Sequence, residues 1–324
     1  MKKIMFVCNG GIANYPGKIG DVLVSSAVAY FLRKRNYEIH FVTNEIMKEF
    51  LRKTHDFSVS STKKTNDLEI LDNKDLEIGK ENDFIFILKQ DGNKEGDFWE
   101  KQLLDYGVEK SKVYRIGKLD IFSENGKHIT EQIISEVLLF LKEERWGEEI
   151  YPLLNIGKER KKEKIDYAIF PFAGDRRKWL TNEIILKIIS RLKGKISIFG
   201  STKEIEENKE LKEEIKKFPN AQINADDILT VCWKIVNCKT VFCVDGGLMW
   251  SVIAGLNWLA LKNKISEKEF PFFKVIIGKD ISENYLPSSS VWRPLLIFKD
   301  KAEIINEKRE LRLKDIKIEM IIKE

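Results

Sequence analysis

The sequence predicts an α/β protein built from two units, each a parallel sheet with helices on both faces. Short apolar runs bounded by glycine or polar residues alternate with longer helical segments along the whole chain, a pattern typical of buried parallel strands and their crossover helices. The pattern pauses at 157–164, the most charged stretch, and then restarts. Because 324 residues also suit two domains better than one, we expect domains at 1–156 and 157–324, joined by a solvated linker.

The first domain is expected to contain four strands and three helices. Its first apolar run, IMFVC, carries no charge, which predicts a strand covered on both faces. The predicted strands are 3–8, 39–43, 83–88 and 112–116, and the predicted helices are 20–34, 44–53 and 128–145. The last helix is amphipathic, with its apolar face formed by Ile129, Ile133, Val137, Leu138 and Leu141.

The second domain repeats the alternation. Its predicted strands are 167–172, 196–200, 221–224, 240–244 and 258–262, and its predicted helices are 181–193, 203–217, 226–236, 247–254 and 313–323. The short connections between these segments favour a parallel sheet. The last helix closes the chain. It is long enough to pack back on the first domain, and we leave that arrangement open. In such sheets ligands bind at the carboxyl ends of the strands, and for two domains this predicts a site in the cleft.

Composition excludes several functional classes. The net charge of +5, from 56 basic and 51 acidic residues, is too small and too mixed for a nucleic-acid-binding surface. Three scattered histidines and no Cys-x-x-Cys pair argue against a metal site. We expect the cysteines to be buried free thiols: Cys8, Cys232, Cys238 and Cys243. No signal peptide and no run of about 20 apolar residues is present, so we expect a cytoplasmic protein.

Asp21 lies at the start of an otherwise apolar helix, in the stretch PGKIGDVLVSSAVAYFLRK (16–34). One interpretation is structural, because acidic residues at helix starts accept free N–H groups and meet the positive end of the helix dipole. The other is a general base at the carboxyl end of the first strand. The preceding loop is not a P-loop, since five residues separate Gly11 from Gly17 and Ile19 follows Lys18. Gly-x-Gly-x-x-Gly is also absent there.

Two stretches of the second domain place small residues and charges directly after strands. In PFAGDRRKW (171–179), Ala173 and Gly174 would let a ligand approach the backbone, and Lys178 follows two arginines before a helix. In VDGGLMW (244–250) an acid and two glycines stand between a strand and a helix. Both arrangements suit a diphosphate at a helix start. A solvated basic loop and an ordinary strand–helix turn are the structural alternatives.

These stretches, taken in order with SIFGSTKE (197–204), resemble the family 9 glycosyltransferases, which include the lipopolysaccharide heptosyltransferases. The resemblance extends over most of the chain, and its best parts are Gly20-Asp21-Val22 and Lys178-Trp179. It implies a GT-B architecture of two facing Rossmann-like domains, with the acceptor on the first and the nucleotide-sugar on the second. It also implies an inverting transfer without a metal, and the sequence contains no Asp-x-Asp.

By this resemblance Asp21 is the catalytic base, and Lys178 neutralises the leaving diphosphate. The remaining donor-binding positions that it implies are Ala173, Gly174, Gly200, Ser201, Asp245, Gly246, Gly247 and Trp250. Two of them depart from the family pattern. Trp250 stands where the family usually has histidine, so a group that can carry charge is replaced by an indole. Gly246 stands where the family has Thr or Ser, so a hydroxyl is absent.

The implied function is transfer of a heptose or similar sugar, with ADP-heptose as the expected donor, to a lipopolysaccharide core acceptor. The expected partners are a nucleotide-sugar donor, a lipid-linked glycan acceptor and, transiently, the inner membrane surface, with no nucleic acid, no cofactor and no metal. Two alternatives stay open. One is the same fold acting on another nucleotide sugar or acceptor, and the other is a non-catalytic homologue that binds sugar nucleotides or glycans.

Overall fold

A computed structural model describes residues 1–10, 19–65, 68–89, 93–116, 119–120, 127–144, 149–158, 165–278, 294–306 and 311–322. The chain divides into two compact units between Asn155 and Ile156, and the residues from 294 onward belong to the second unit. The loop 11–18 and most of the charged linker, 159–164, lie outside the described residues.

The first unit is built around a parallel sheet of five strands. In chain order its elements are β1 (Lys3–Val7), α1 (Ile19–Lys34), β2 (Glu38–Thr43), α2 (Glu45–Thr54), β3 (Ser58–Ser61), β4 (Lys63–Thr65), β5 (Leu68–Ile70), α3 (Asn73–Glu81), β6 (Phe84–Ile87), α4 (Lys94–Asp105), β7 (Val113–Arg115) and α5 (Ile129–Leu141). The strand order in the sheet is β3-β2-β1-β6-β7, and β4 and β5 form a separate antiparallel pair.

The second unit contains a parallel sheet of six strands. Its elements are β8 (Tyr167–Phe170), α6 (Asn182–Arg191), β9 (Ile196–Phe199), α7 (Thr202–Glu207), α8 (Lys209–Ile215), β10 (Ala221–Asn224), α9 (Ile228–Lys234), β11 (Thr240–Val244), α10 (Gly247–Leu261), β12 (Phe272–Ile276), β13 (Ala302–Ile305) and α11 (Ile318–Ile321). The order β10-β9-β8-β11-β12-β13 makes β8 and β11 neighbours. The predicted fold class, two α/β units with parallel sheets, is confirmed.

The central strands of both sheets are buried, as their apolar runs predicted. In the first unit the rings of Phe6, Phe41 and Phe86 stack on one another through neighbouring strands. In the second, isoleucines of β8, β9 and α6 pack together in one core cluster. All four cysteines are buried, and burial raises the pKa of the Cys8 thiol to about 11. No helix of the described residues is long and apolar enough to cross a membrane.

The prediction of a strand at 258–262 is wrong, because these residues continue α10 to Leu261. The helix is buried on every side from Met249 to Ala260, so its sequence has no polar face and resembles a strand run. The strands that complete the sheet, β12 and β13, were not predicted. The single helix expected at 203–217 is two helices, which meet at Asn208.

The last helix is shorter than the sequence predicts. Of residues 313–322, which the structure describes, only Ile318–Ile321 is α-helical, after a 3-10 turn at Leu313–Asp315. This helix belongs to the second unit and packs against α6. Ile321 is fully buried in the core cluster of that unit, and Arg191 pairs with Glu319 at 3.5 Å.

Candidate functional site

Asp21 lies in the first turn of α1, just beyond the carboxyl end of β1, and is 5% exposed. Its backbone oxygen accepts a hydrogen bond of 2.7 Å from the Ser25 hydroxyl, which in turn accepts a contact of 3.4 Å from the Cys8 thiol. The negative charge of Asp21 adds to burial in raising the pKa of Cys8. A buried helix therefore holds Asp21 at the strand end, a position that both interpretations of this residue require.

The carboxyl edge of the first sheet carries further polar side chains that the sequence analysis missed. Asn9 follows β1 and donates to Glu69 at 2.8 Å, while Thr43 ends β2. Lys89 follows β6, is 4% exposed, and pairs with Glu95 at 2.8 Å. The side-chain oxygens of Asn9 and Thr43 are buried without a hydrogen-bond partner. These side chains lie at or just after the ends of apolar strands, and that position is the sequence signal that could have identified them.

Lys178 ends a short 3-10 turn, Arg176–Lys178, in the loop between β8 and α6. Asp175 opens this turn by accepting a hydrogen bond from the Arg177 N–H at 2.9 Å, and the Arg177 guanidinium lowers the pKa of Asp175. The indole of Trp179 donates to the oxygen of Ala173 at 2.6 Å. These contacts fold the loop onto itself, so Lys178 projects from a backbone that is fixed on both sides.

The structure brings Lys178 and Asp245 together, although they are far apart in sequence. The Lys178 ammonium donates to Asp245 Oδ2 at 2.8 Å, and the side chains of the two residues are 17% and 22% exposed. Trp250, on α10, donates from its indole N–H to Asp245 Oδ1 at 3.0 Å. The two residues meet because β8 and β11 are neighbours in the sheet, which brings the loops after them together. The sequence analysis did not predict this ion pair.

Gly247 begins α10 and Gly246 directly precedes it. Gly246 has a packing reason to be glycine. A Cβ atom at Gly246 would lie 3.0 Å from the backbone oxygen of Phe172 and 3.2 Å from the Cβ of Ala173. The backbone of the loop after β8 therefore runs against the start of α10. A side chain at this position would press against that backbone, which gives a structural reason for one of the two departures noted above.

Three other predicted donor-binding residues lie around this pair of loops. A Cβ at Gly200 would lie 2.5 Å from the ring of Phe172, whereas a Cβ at Gly174 would meet no atom within 4 Å. Ser201 caps α7, where its hydroxyl accepts from the Glu204 N–H at 3.2 Å. Packing or capping is thus sufficient to explain Gly200 and Ser201, and their contact with a donor stays a prediction.

In the described part of the chain, no group of three or more His, Cys, Asp or Glu side chains is arranged to hold a metal ion. The expectation that no metal is needed stays a prediction, since it concerns the reaction rather than the fold.

Comparison with known proteins agrees with this architecture. No protein-family model and no curated protein matches the chain. Among solved structures, the chain is similar to a glycosyl transferase family 9 protein from Veillonella parvula, with a TM-score of 0.65 and 14% identity over 99% of this chain and 95% of that one. It is similar to E. coli ADP-heptose lps heptosyltransferase II, with a TM-score of 0.62 and 15% identity over 99% and 96%.

A third similar structure is E. coli heptosyltransferase WaaC with ADP, with a TM-score of 0.57 and 13% identity over 98% of this chain and 95% of that one. All three similarities extend over nearly the full length of both chains. At these identities they establish the fold, which is the fold that the resemblance to family 9 glycosyltransferases implied.

Proposed function

We propose that the protein is a glycosyltransferase that uses a sugar linked to a nucleoside diphosphate, bound by the second unit. The observation that carries the proposal is the junction of Lys178, Asp245 and Trp250 at the carboxyl ends of β8 and β11. Loss of a nucleoside diphosphate builds negative charge on phosphate oxygens as the glycosidic bond breaks. An ammonium and the N–H groups of a helix start, both present here, stabilise that charge.

The acceptor is assigned to the first unit, with Asp21 as the base. Asp21 takes the proton of the acceptor hydroxyl while the hydroxyl oxygen attacks the anomeric carbon from the side opposite the diphosphate, so the configuration inverts. The nucleoside diphosphate leaves with the bonding electrons, and Lys178 balances its charge.

The substrates we favour are ADP-heptose and a lipopolysaccharide core, with no divalent metal and with brief contact at the cytoplasmic face of the inner membrane. The fold shared with E. coli heptosyltransferase WaaC, whose structure contains ADP, supports an adenine nucleotide. The net charge of +5 supports contact with an anionic surface. A protein that binds sugar nucleotides without transferring the sugar is the alternative, and the indole at position 250 is the observation that favours it.

A thermal-shift panel of nucleoside diphosphates and nucleotide sugars identifies the donor first. A bound ligand at 100 times its Kd adds about 2.7 kcal/mol to the free energy of unfolding, which is readily detected. Transfer and donor hydrolysis are then assayed with EDTA and with added magnesium. We expect activity to be the same in both. Activity that EDTA abolishes and magnesium restores would contradict the metal-free mechanism, and binding without turnover would support the alternative.

A further inference from the structure

We propose that Trp250 is a positioning residue, which orients the Asp245 carboxylate and through it holds the Lys178 ammonium for the donor diphosphate. The diphosphate in this statement rests on the function proposed above. The chain of contacts does not, because it is a property of the three side chains. Trp250 is 3% exposed, so its position is fixed by packing in α10.

The two oxygens of Asp245 have different partners, and this determines the orientation of the carboxylate. Oδ1 accepts from the Trp250 indole at 3.0 Å, and Oδ2 accepts from the Lys178 ammonium at 2.8 Å. A rotation of the carboxylate would lengthen both bonds at once. The close approach of Gly246 to the backbone of Phe172 and Ala173 fixes the distance between the two loops that carry this chain.

Lysine needs such a support more than most cationic residues. Its ammonium is carried on a flexible stem of four carbons, so a free side chain samples many positions. A charge that stabilises a leaving group acts best when it is already in place before the bond breaks. Asp245, held by the indole, restricts the Lys178 ammonium to the edge of the sheet.

Indole also differs from imidazole in having no proton to gain between pH 5 and 8. The indole therefore supplies a hydrogen-bond donor that stays neutral across this range. A histidine at the same position would place its Nε2 where the indole has Nε1, because the two five-membered rings superimpose. It could make the same hydrogen bond, and could also become charged.

This geometry allows a test with two variants of Trp250, for which a packing role and a positioning role predict different rankings. Trp250→Phe keeps an apolar ring and removes the donor, whereas Trp250→His restores a donor and loses more packing. If Trp250 only packs, Trp250→Phe should preserve both the stability and the environment of Lys178 better than Trp250→His does. If Trp250 positions Asp245, the melting temperature should decrease from the wild type to Trp250→Phe to Trp250→His. The restraint on Lys178 should instead decrease from the wild type to Trp250→His to Trp250→Phe.

The restraint on Lys178 is measured without any substrate, as the rate at which acetic anhydride acylates it at pH 8, read by peptide mass spectrometry. An ammonium held against a carboxylate reacts slowly. Lys203, whose side chain is 83% exposed, is the internal reference in every sample. We expect the rate at Lys178, relative to Lys203, to rise about tenfold in Trp250→Phe and in Asp245→Asn, and to rise about threefold or less in Trp250→His.

An unchanged Lys178 rate in Trp250→Phe would overturn the proposal, and so would a higher rate in the His variant than in the Phe variant. The transfer rate, once a donor is known, should follow the same order as the restraint on Lys178. If the wild type turns over no sugar nucleotide, the proposed function fails, while the acylation rates still decide whether Trp250 holds Lys178.

Discussion

The two units bury polar groups in different ways. Among the described residues of the first unit, buried side-chain atoms without a hydrogen-bond partner include oxygens of Asn9 and Thr43, both ring nitrogens of His55 and one oxygen of Asp75. In the second unit buried polar groups are mostly paired. Asn257, which is fully buried, donates to the Leu295 oxygen at 2.8 Å and accepts from the Ile297 N–H at 3.0 Å.

Most described buried polar side chains of the second unit therefore have hydrogen-bond partners within the protein, whereas several of the first unit do not. Lys178 already has Asp245 as a counter-ion in the second unit, so the diphosphate proposed above would have to compete with a carboxylate for the ammonium. The edge of the first sheet instead keeps acceptor oxygens whose bonds are not made, at Asn9 and Thr43. Buried groups in that condition cost stability. The following predictions test this comparison.

The largest expected effect is that of Asp21→Asn, which keeps the shape of the side chain and removes its charge. Asn serves a helix start about as well as Asp, so we expect the melting temperature to stay close to that of the wild type. Donor affinity should also be preserved, because the donor is assigned to the other unit. The transfer rate should fall by ~10²–10⁴, the usual contribution of a positioned base. Activity within a few-fold of wild type would leave Asp21 with its structural role only.

Lys178→Ala tests the paired charges of the second unit. We expect donor binding and turnover to weaken together, with a total loss of transition-state stabilisation of ~2–4 kcal/mol, because the lysine contacts the diphosphate before and during bond breaking. The measurement is kcat/KM with the identified donor, alongside the Kd of the nucleoside diphosphate. Lys203→Ala is the matched control, since that lysine is largely exposed. Equal kinetics in the two folded variants would refute the role of Lys178.

His55 tests the unpartnered groups of the first unit. Its ring stacks on Phe57, neither nitrogen has a partner, and burial lowers its pKa to about 3 from the ordinary value of 6.5. The unfolded chain therefore takes up a proton below pH 6.5 that the folded chain refuses. Stability is fully present above pH 6.5 and is lost as the pH falls toward 3, by about 2 kcal/mol at pH 5.

His55→Phe should remove this loss, because phenylalanine cannot be protonated and fills a similar space. Urea unfolding of both proteins at pH 7 and pH 5 measures it. The variant should be less sensitive to acid than the wild type by about 2 kcal/mol. The same pH dependence in both proteins would show that His55 is protonated in the folded state.

The smallest effect is expected at Gly246, where the two loops of the second unit meet. In Gly246→Ala the added Cβ would lie 3.0 Å from a backbone oxygen, which cannot move aside as a flexible side chain would. We expect a loss of about 1–2 kcal/mol in the free energy of unfolding. Gly174→Ala is the control, because nothing lies within 4 Å of its Cβ position. A neutral Gly246→Ala would show that the loops can separate.

Most strands and helices could be predicted from the sequence, because their apolar patterns and capping residues lie within a few residues of one another. The run Lys3–Val7 has no polar face, and Thr181 caps the helix that begins at Asn182, near the predicted start. The failure at 258–262 has the same origin. A helix buried on all sides loses the period of 3.6 residues that distinguishes it from a strand, and only its packing decided between them.

For the candidate site, the sequence by itself determined which chemistry is available and roughly where. An aspartate at a helix start, a lysine after one strand and an acid with two glycines after another are visible as local patterns. Only the tertiary structure decided that Lys178 meets Asp245, that Trp250 contacts the second oxygen, and that a side chain at Gly246 would press against the neighbouring loop. The reason is the strand order. Local patterns reflect contacts between residues close in the chain, whereas the pairing of β8 with β11 joins loops 67 residues apart.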